Sequence, residues 1–387
     1  MNKKELELYI HIPFCVRKCS YCDFLSAPAT EQTREAYMAA LFAEIGGRAK
    51  DYSDRTVTSI FIGGGTPSLL SGEQIGQLMD RIREQFAMAQ DAEITMEVNP
   101  GTVSAEKLRN FYTAGINRLS IGMQSAQAEE LKNLGRIHDF EGFCQVYREA
   151  VEAGFTNINV DIMSGLPGQT LASYRDTLEK VLHLEPMPQH ISAYSLIVEE
   201  GTPFAAMAER GELPLPEEET ERAMYEETIE VLAKYGFHRY EISNYARDGY
   251  ECRHNVGYWI RRDYLGFGIG AASLIDNVRF QNEKSLGAYL AQPLESREEE
   301  QTLTVQDRME ETMFLGLRLT RGVSCVDFAE QYGRTVEEVY GEVIARNVAD
   351  GLLTVTERKE NQKKDRFLAL TKRGLDLSNY VMAQFLF

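Results

Sequence analysis

The sequence lacks a long hydrophobic run, an internal repeat and a low-complexity tract. No apolar stretch reaches the ~18 residues that span a bilayer. The first residues also lack the apolar segment of a secretory signal. We therefore expect a cytoplasmic protein of two or three domains, and peripheral contact with a membrane stays compatible with the sequence.

Cysteine, histidine and tryptophan are all scarce. The 387 residues include six Cys, six His and a single Trp. Six cysteines without a paired pattern exclude a disulfide framework and fit a reducing compartment. Cys144, Cys252 and Cys325 stand alone in the sequence, and we expect them to be ordinary buried thiols.

The sequence is also short of positive charge. Its formal net charge is −18 at pH 7, and residues 301–387 contribute little of it, with twelve Lys and Arg against thirteen Asp and Glu. An acidic surface repels phosphate backbones. Nucleic acid is therefore not expected as a partner.

Residues 1–200 alternate short apolar runs with helical patterns. The predicted strands are Glu7–Ile12, Ser59–Gly63, Ile94–Val98, Arg118–Gly122, Asn157–Met163 and Ile191–Leu196. The predicted helices are Thr33–Arg48, Gly72–Phe86, Ala105–Ala114, Ala126–Leu134, Glu141–Ala153 and Leu171–Leu184. This alternation predicts an α/β fold with a parallel sheet. Six strands are too few for an eight-fold barrel, so we expect an open, partial (β/α)6 barrel.

The later part of the chain changes character. Two prolines and an acidic stretch begin near residue 213, a helix follows to about Tyr235, and residues 236–300 give no clear pattern. Three helices near 305–319, 325–332 and 336–348 then precede two strands, Leu352–Thr356 and Phe367–Leu370, around a charged turn at Arg358–Arg366. We expect three domains, 1–212, 213–300 and 301–387, the last an α+β winged-helix-like domain that packs or docks.

Three cysteines lie within eight residues, in the order Cys15-x3-Cys19-x2-Cys22. Iron–sulfur clusters usually take four Cys, and structural zinc takes four ligands. Three thiolates can hold three irons of a [4Fe–4S] cube and leave the fourth iron open to a small molecule. A zinc site completed by His11 is the alternative. The first predicted strand ends just before this loop, at the edge of a parallel sheet where ligands bind.

Further polar and glycine residues follow the other predicted strands. Gly63-Gly64-Gly65-Thr66-Pro67 follows the second strand, and its glycines allow close approach and offer N–H groups to a ligand. Glu97 ends the third strand, Gln124 follows the fourth, and Asp161 lies within the fifth. Successive strand ends gather such residues around one site.

These motifs, with Tyr9-Ile10-His11-Ile12-Pro13-Phe14-Cys15 and Gly165-Leu166-Pro167-Gly168-Gln169-Thr170, resemble the radical S-adenosylmethionine (SAM) superfamily. The nearest branch is that of oxygen-independent coproporphyrinogen III dehydrogenase. The resemblance implies a radical SAM barrel in which Cys15, Cys19 and Cys22 bind a [4Fe–4S] cluster. It also implies an electron donor if SAM is cleaved. The implied contacts to SAM are Tyr9, Gly64, Gly65, Thr66, Glu97, Gln124, Arg136 and Asp161.

Two departures separate the chain from the dehydrogenase of that branch. Phe24 stands where that enzyme has a further cysteine, and only 14 residues precede Cys15. The segment Cys252-Arg253-His254-Asn255-Val256-Gly257-Tyr258-Trp259 resembles the His-Asn-x-x-Tyr-Trp signature of haem chaperones in the same branch. That resemblance implies haem binding through His254, with Cys252 as a second candidate ligand, and delivery of haem to client haemoproteins.

The sequence is therefore compatible with three functions. The first is a haem chaperone on a radical SAM scaffold, a possible homodimer. The second is an enzyme, either coproporphyrinogen III dehydrogenase or another radical SAM enzyme of porphyrin metabolism. The third is a winged-helix regulator with a sensory cluster.

Overall fold

The computed structural model describes residues 4–295, 297–360 and 363–386. Its strands are β1 (Lys4–Ile12), β2 (Arg55–Gly64), β3 (Ala87–Val98), β4 (Arg118–Gln124), β5 (Ile158–Ser164), β6 (His190–Ser195), β7 (His238–Arg239), β8 (Asn244–Ala246), β9 (Tyr264–Phe267), β10 (Ala272–Ile275), β11 (Val278–Asn282), β12 (Arg297–Thr302), β13 (Val323–Ser324), β14 (Leu353–Glu360) and β15 (Lys363–Leu370). The six strands predicted before residue 200 are confirmed as β1–β6.

Helices follow most of these strands. They are α1 (Glu31–Arg48), α2 (Gly72–Gln85), α3 (Ala105–Thr113), α4 (Ala128–Leu134), α5 (Phe140–Glu152), α6 (Leu171–Leu182), α7 (Pro203–Glu209), α8 (Glu218–Lys234), α9 (Arg253–Trp259), α10 (Leu286–Ala291), α11 (Val305–Gly316), α12 (Cys325–Tyr332), α13 (Val336–Ala349), α14 (Lys372–Asp376) and α15 (Ser378–Ala383). Side-chain caps fix several starts; Ser71 and Gln74, for example, form a capping box at α2. Among the helices described, none has the length and apolar character needed to cross a bilayer.

One large sheet organises the first 302 residues. Its strand order is β12-β11-β10-β9-β1-β2-β3-β4-β5-β6-β8-β7. Strands β1–β6 run parallel, and β9 pairs parallel to β1 on the other side. The outer strands pair antiparallel. In the described residues the sheet is open, with β12 and β7 at its edges, and the predicted α/β class is confirmed.

The two faces of the parallel sheet differ in chemistry. In β4, Leu119, Ile121 and Met123 belong to one face and are fully buried, whereas Arg118 and Ser120 belong to the other. The apolar face packs against the helices and forms the main hydrophobic core. Parallel strands are usually apolar on both faces. The polar face of this sheet therefore marks the interior of the partial barrel, which we call the lumen.

Residues 236–300, which showed no clear pattern in the sequence, supply most of the strands at both edges of the sheet. A buried carboxylate anchors one of these edges to α1. Glu44 accepts hydrogen bonds from Gly268 N–H (2.9 Å), Asn282 Nδ2 (2.7 Å) and Tyr289 Oη (2.7 Å), and pairs with Arg48 at 2.8 Å. The three hydrogen bonds join residues that are more than 200 positions apart, so no local sequence pattern predicts them.

The C-terminal part has its own core and a three-stranded sheet, β13-β15-β14. Helix α11 precedes β13, and helices α12 and α13 lie between β13 and the hairpin of β14 and β15. The predicted charged turn at Arg358–Arg366 is wrong, because β14 and β15 continue through most of it. Opposite charges face each other there, with Arg358 opposite Asp365 and Glu357 opposite Arg366, and such cross-strand pairs favour strand over turn.

Candidate functional site

The polar face of the parallel sheet gathers ionisable and amide side chains in register. Phe61 of β2 pairs with Thr95 of β3, and Thr95 pairs with Arg118 of β4. Further along, Ser120 pairs with Asn159, and Gly122 pairs with Asp161. Because partners in a parallel sheet share a face, these positions line the lumen.

A cavity of about 650 Å³ opens from the lumen toward the cysteine loop. Most of the residues predicted to form the site lie around it. The predicted residues that line the cavity are Cys15, Cys19, Cys22, Gly64, Gly65, Thr66, Glu97, Gln124, Arg136 and Asp161. The two predicted site residues that do not line it are Tyr9 and His254.

The cysteine loop is held at the end of β1 by backbone hydrogen bonds. Cys15 N–H donates to Ala27 O at 3.2 Å, so the loop returns beside its own start. Ser20 N–H donates to Leu134 O at 3.0 Å, which docks the loop on the end of α4. Ser20 O accepts from Phe204 N–H at 3.0 Å. The loop is therefore positioned by three separate elements.

The three thiols of the cysteine loop line the cavity together. All three cysteines are free and partly exposed. Within the described residues no three His, Cys, Asp or Glu side chains are grouped closely enough to enclose a single ion. Thr66 Oγ1 donates to Cys15 Sγ at 3.4 Å, which ties the glycine loop to the first thiol.

His11 does not complete a zinc set with these thiols. Its Nε2 is bonded to Leu25 O at 2.8 Å, and its Nδ1 is bonded to Tyr9 Oη at 3.0 Å. Burial lowers the pKa of His11. Tyr9 thus supports the cysteine loop through His11, and its own side chain does not line the cavity.

The glycine loop is shaped by close approach to the cysteine loop. A Cβ at Gly65 would lie 2.7 Å from Phe14 O and 2.9 Å from Ile12 O. Gly65 N–H and Thr66 N–H donate to those same two carbonyls, at 2.8 Å to Ile12 and 2.7 Å to Phe14. The expectation that these N–H groups are free for a ligand is therefore wrong, because the protein already uses them.

Two carboxyl groups face the cavity from β3 and β5, the strands on either side of β4. Burial, together with the nearby Asp161, raises the pKa of Glu97 to about 8, against the opposing effect of Gly64 N–H, which donates to Oε2 at 3.1 Å. Burial also raises the pKa of Asp161, which accepts from Asn159 Nδ2 at 2.7 Å. Both groups can accept hydrogen bonds from hydroxyl or ammonium groups of a ligand.

Arg136 and Gln124 complete the rim. Arg136 Nη2 donates to Asn99 Oδ1 and to Gly122 O, both at 2.6 Å, and Nη1 lies 3.9 Å from Cys19 Sγ. Its buried Nε has no hydrogen-bond partner in the described residues. Gln124 adopts a φ of +70°, an unusual backbone conformation for a residue other than glycine. Its Oε1 accepts a hydrogen bond from Tyr194 Oη at 2.8 Å. Such strain is concentrated at functional sites.

His254 lies in α9, behind the lumen wall, and is 1% exposed. Its Nδ1 is bonded to Ser59 Oγ at 2.8 Å and its Nε2 to Tyr258 Oη at 3.0 Å. Burial lowers its pKa to about 3, helped by Arg118 and Arg262, so the imidazole is neutral. In this conformation both ring nitrogens are occupied, and neither is free for haem iron.

The rest of the signature is divided between environments. Asn255 lines the cavity, whereas Arg318 stacks over the Trp259 ring at 4.3 Å. Cys252 is fully buried, and burial raises the pKa of its thiol to about 12. A protonated, enclosed thiol is a poor ligand, which disfavours Cys252 as a haem thiolate.

Comparison with known proteins identifies the family of this chain. A family model described as the radical SAM superfamily matches residues 9–181, and one described as the HemN C-terminal domain matches residues 303–377. The haem chaperone HemW of Bacillus subtilis is 38% identical over 98% of both chains. HemW of Lactococcus lactis is 36% identical over 100% of this chain and 98% of its own.

The chain belongs to the HemW family of radical SAM proteins. HemW of Escherichia coli is 42% identical over 69% of each chain. Among solved structures, coproporphyrinogen III oxidase (HemN) from Escherichia coli, a radical SAM enzyme, matches with a TM-score of 0.84 and 28% identity, over 99% of this chain and 90% of its own.

The HemW-family cavity also includes residues that sequence reasoning missed. They are Tyr21 in the cysteine loop, and Arg118, Ser120, Asn159, Ser192 and Tyr194 on the lumen face. Asn255 of α9 also lines the cavity, and although the signature includes this residue, the sequence predicted no role for it. Polar residues at alternate positions, as in Arg118-x-Ser120-x-Gly122-x-Gln124, were the available signal. This period of two shows the polar face of a strand even when the opposite face is apolar.

We predict that Gly65→Ala weakens assembly of the cysteine loop in this HemW-family chain. The new methyl group would meet two backbone oxygens and so displace the loop or β2. We expect lower iron–sulfur absorbance after anaerobic reconstitution and a loss of about 1–3 kcal/mol in urea unfolding. Gly76→Ala in α2 is the control, since nothing lies within 4 Å of its added Cβ. Equal behaviour of the two variants would contradict the assignment.

We predict a distinct pH dependence for Glu7→Gln. Burial raises the pKa of Glu7 to about 8. The folded state thus binds a proton that the unfolded state has released, so wild-type stability falls as pH rises from about 4.5 to about 8. The glutamine variant should lose part of this slope and gain relative to wild type at pH 8, by a few kcal/mol at most. Glu5→Gln is the matched control, because Glu5 also pairs with Arg262 but is exposed. Parallel pH profiles of all three proteins in chemical denaturation would refute this.

Proposed function

We propose that this chain is a haem chaperone that carries a [4Fe–4S] cluster on Cys15, Cys19 and Cys22 and binds SAM in the adjoining cavity. The observation that carries the proposal is the full-length similarity to proteins named as haem chaperones, 38% identity over 98% of both chains. The cavity supports it, because all three thiols and most of the predicted SAM contacts line one space.

The donor set fits the cluster and its partner. When bound, the cluster supplies one-electron reduction of SAM, for which an external electron donor is required. Arg136, whose buried Nε is unpartnered, suits the carboxylate of a ligand. Glu97 and Asp161 suit an ammonium group or ribose hydroxyls. The glycine loop keeps the cysteine loop against the sheet, and its close approach leaves the cavity mouth to the thiols.

Haem binding through His254 requires a local rearrangement. The imidazole is already neutral, which is the state a metal ligand needs. Its nitrogens are, however, bonded to Ser59 and Tyr258. We therefore propose that haem exchanges for one of these hydroxyls, and that haem then passes from this site to client haemoproteins.

A second function, that of coproporphyrinogen III dehydrogenase, is favoured by the close match to the HemN structure. The sequence argues against it at Phe24, a residue that is 60% exposed beside the cysteine loop, where the dehydrogenase is expected to have a further thiol. Anaerobic incubation with reductant, SAM and coproporphyrinogen III decides between the two, and formation of protoporphyrinogen would select the enzyme.

We predict that Cys19→Ser abolishes the cluster, because a serine hydroxyl replaces one of three thiolates. The measurement is visible absorption and iron content after anaerobic reconstitution. Cys144→Ser is the control, since Cys144 is a free thiol on α5 outside the cavity. Retention of a full cluster in the Cys19 variant, or its loss in the Cys144 variant, would refute the ligand assignment.

We predict opposite effects of two changes in α9 on haem affinity. His254→Ala removes the proposed ligand and should weaken haem binding at least about tenfold. Tyr258→Phe removes the hydroxyl bonded to Nε2, frees that nitrogen, and should strengthen binding by a few-fold. Soret titration of reconstituted protein measures both. Saturable binding that neither change alters would exclude His254 and leave the chaperone function without this ligand.

A further inference from the structure

One buried cation in the lumen has too few partners. Arg118 begins β4, lines the cavity and is 2% exposed. Its hydrogen bond to another described residue is a long one, from Nη1 to Thr95 Oγ1 at 3.5 Å. The Nε atom is buried without a partner in the same residues. A guanidinium offers five N–H donors, so most of this donor capacity is unused.

The nearby carboxylates do not satisfy Arg118. Glu93 and Asp161 are close enough for their charges to act on it, yet no ion pair joins it to either within the described part of the chain. Glu93 instead accepts from the N–H groups of Arg253 (3.2 Å) and His254 (3.3 Å) at the start of α9. Asp161 accepts from Asn159 and Ser120.

A second unpartnered polar group faces the same space. Asn255 lines the cavity, and its side-chain amide makes no hydrogen bond with the described residues, although its neighbour His254 is fully bonded. The amide can donate two hydrogen bonds and accept others. The His-Asn pair therefore points in two directions, with the histidine behind the wall and the asparagine in the lumen.

We propose that Arg118 and Asn255 form a carboxylate-binding subsite in the lumen, below the cavity rim. Arg118 lies four residues before Gly122 on β4, roughly 13 Å deeper along the strand. The rim near Gly122, which the proposed function assigns to SAM, thus remains free. The subsite deepens the proposed function, and it rests on that function only for the haem source of the ligand discussed below.

The chemistry of the subsite selects a single planar anion. A guanidinium binds a carboxylate through two parallel hydrogen bonds, and an amide adds a third donor. Among the other polar groups that line the lumen, Asn159 and Ser192 are neutral, and the Asp161 carboxyl already accepts hydrogen bonds from Asn159 and Ser120. A doubly charged phosphate would leave one charge uncompensated in a buried space. The carboxylate can come from a haem propionate or from a small carboxylic acid.

The test uses protein reconstituted with cluster and SAM, and compares wild type with Arg118→Met and Asn255→Ala. One arm titrates haemin and haemin dimethyl ester, whose propionates are blocked, by Soret absorption and Trp259 fluorescence. A second arm compares the melting temperature with succinate and with neutral succinamide. Arg81→Met, an exposed change on α2, controls for loss of one positive charge.

Three outcomes are distinguishable. If haem propionate is the ligand, Arg118→Met weakens haemin binding at least about tenfold and leaves the diester unchanged. If a small acid is the ligand, succinate raises the melting temperature of wild type alone, and haemin binding is unaffected by the substitution. If neither probe separates wild type from both variants, the subsite is overturned.

The same experiment distinguishes loss of the subsite from misfolding of a variant and from failure of the proposed chaperone function. Asn255→Ala loses no internal hydrogen bond, so it reports on the subsite even if Arg118→Met fails to fold. Saturable haemin binding that is indifferent to both changes overturns the subsite and leaves the chaperone function standing. A succinate effect without any haemin binding does the reverse.

Discussion

The structure depends on a parallel sheet that buries polar side chains on one of its faces. A buried polar group is tolerated only when it is hydrogen-bonded, and the lumen meets this demand by a chain of contacts. Asp161 is bonded to Asn159, Asn159 to His190 at 2.6 Å, and His190 to Tyr240 at 2.9 Å. The Tyr240 hydroxyl then accepts from Cys252 N–H at 3.3 Å. The cavity and the signature segment are therefore parts of one network, although about 90 residues separate Asp161 from Cys252.

A second constraint is the lack of space between the glycine loop and the cysteine loop. The end of β2 approaches the backbone at Phe14 so closely that a methyl group at Gly65 has no room. At the same contact, the N–H groups of Gly65 and Thr66 donate to the carbonyl groups of Ile12 and Phe14, which fixes where the cysteine loop leaves the sheet. The glycines thus act on the thiols through backbone geometry, and side chains on β3, β4 and β5 form much of the cavity wall.

Sequence reasoning found those parts of the molecule that local patterns encode. The six parallel strands alternate apolar residues with period two between capped helices, so β1–β6 could be placed within a few residues. The cavity-lining cysteines follow the end of β1, Glu97 lies near the end of β3, and Asp161 lies within β5. They were found because cysteine and acidic residues stand out beside or within these apolar strands. Arg118 was missed because it lies at the beginning of its strand, and the edge strands after residue 236 were missed because contacts such as Glu44 with Asn282 are distant in sequence. The prediction of a turn at Arg358–Arg366 was wrong because a run of charged residues was interpreted as an exposed turn. In the structure, oppositely charged residues pair across the two strands and extend the hairpin.

The short helix α9 places two neighbouring residues of the signature in different environments, with His254 behind the lumen wall and Asn255 in the cavity. The helix has seven residues, and the Glu93 carboxylate of β3 accepts hydrogen bonds from two backbone N–H groups of its first turn. A helix this short gains little stability from its own hydrogen bonds, so its position depends on Glu93 and on the bonds of His254. Asn255 faces the lumen on that same first turn. A ligand that engages Asn255 must therefore bear on the backbone that carries His254, because no flexible segment lies between two adjacent residues of one helical turn.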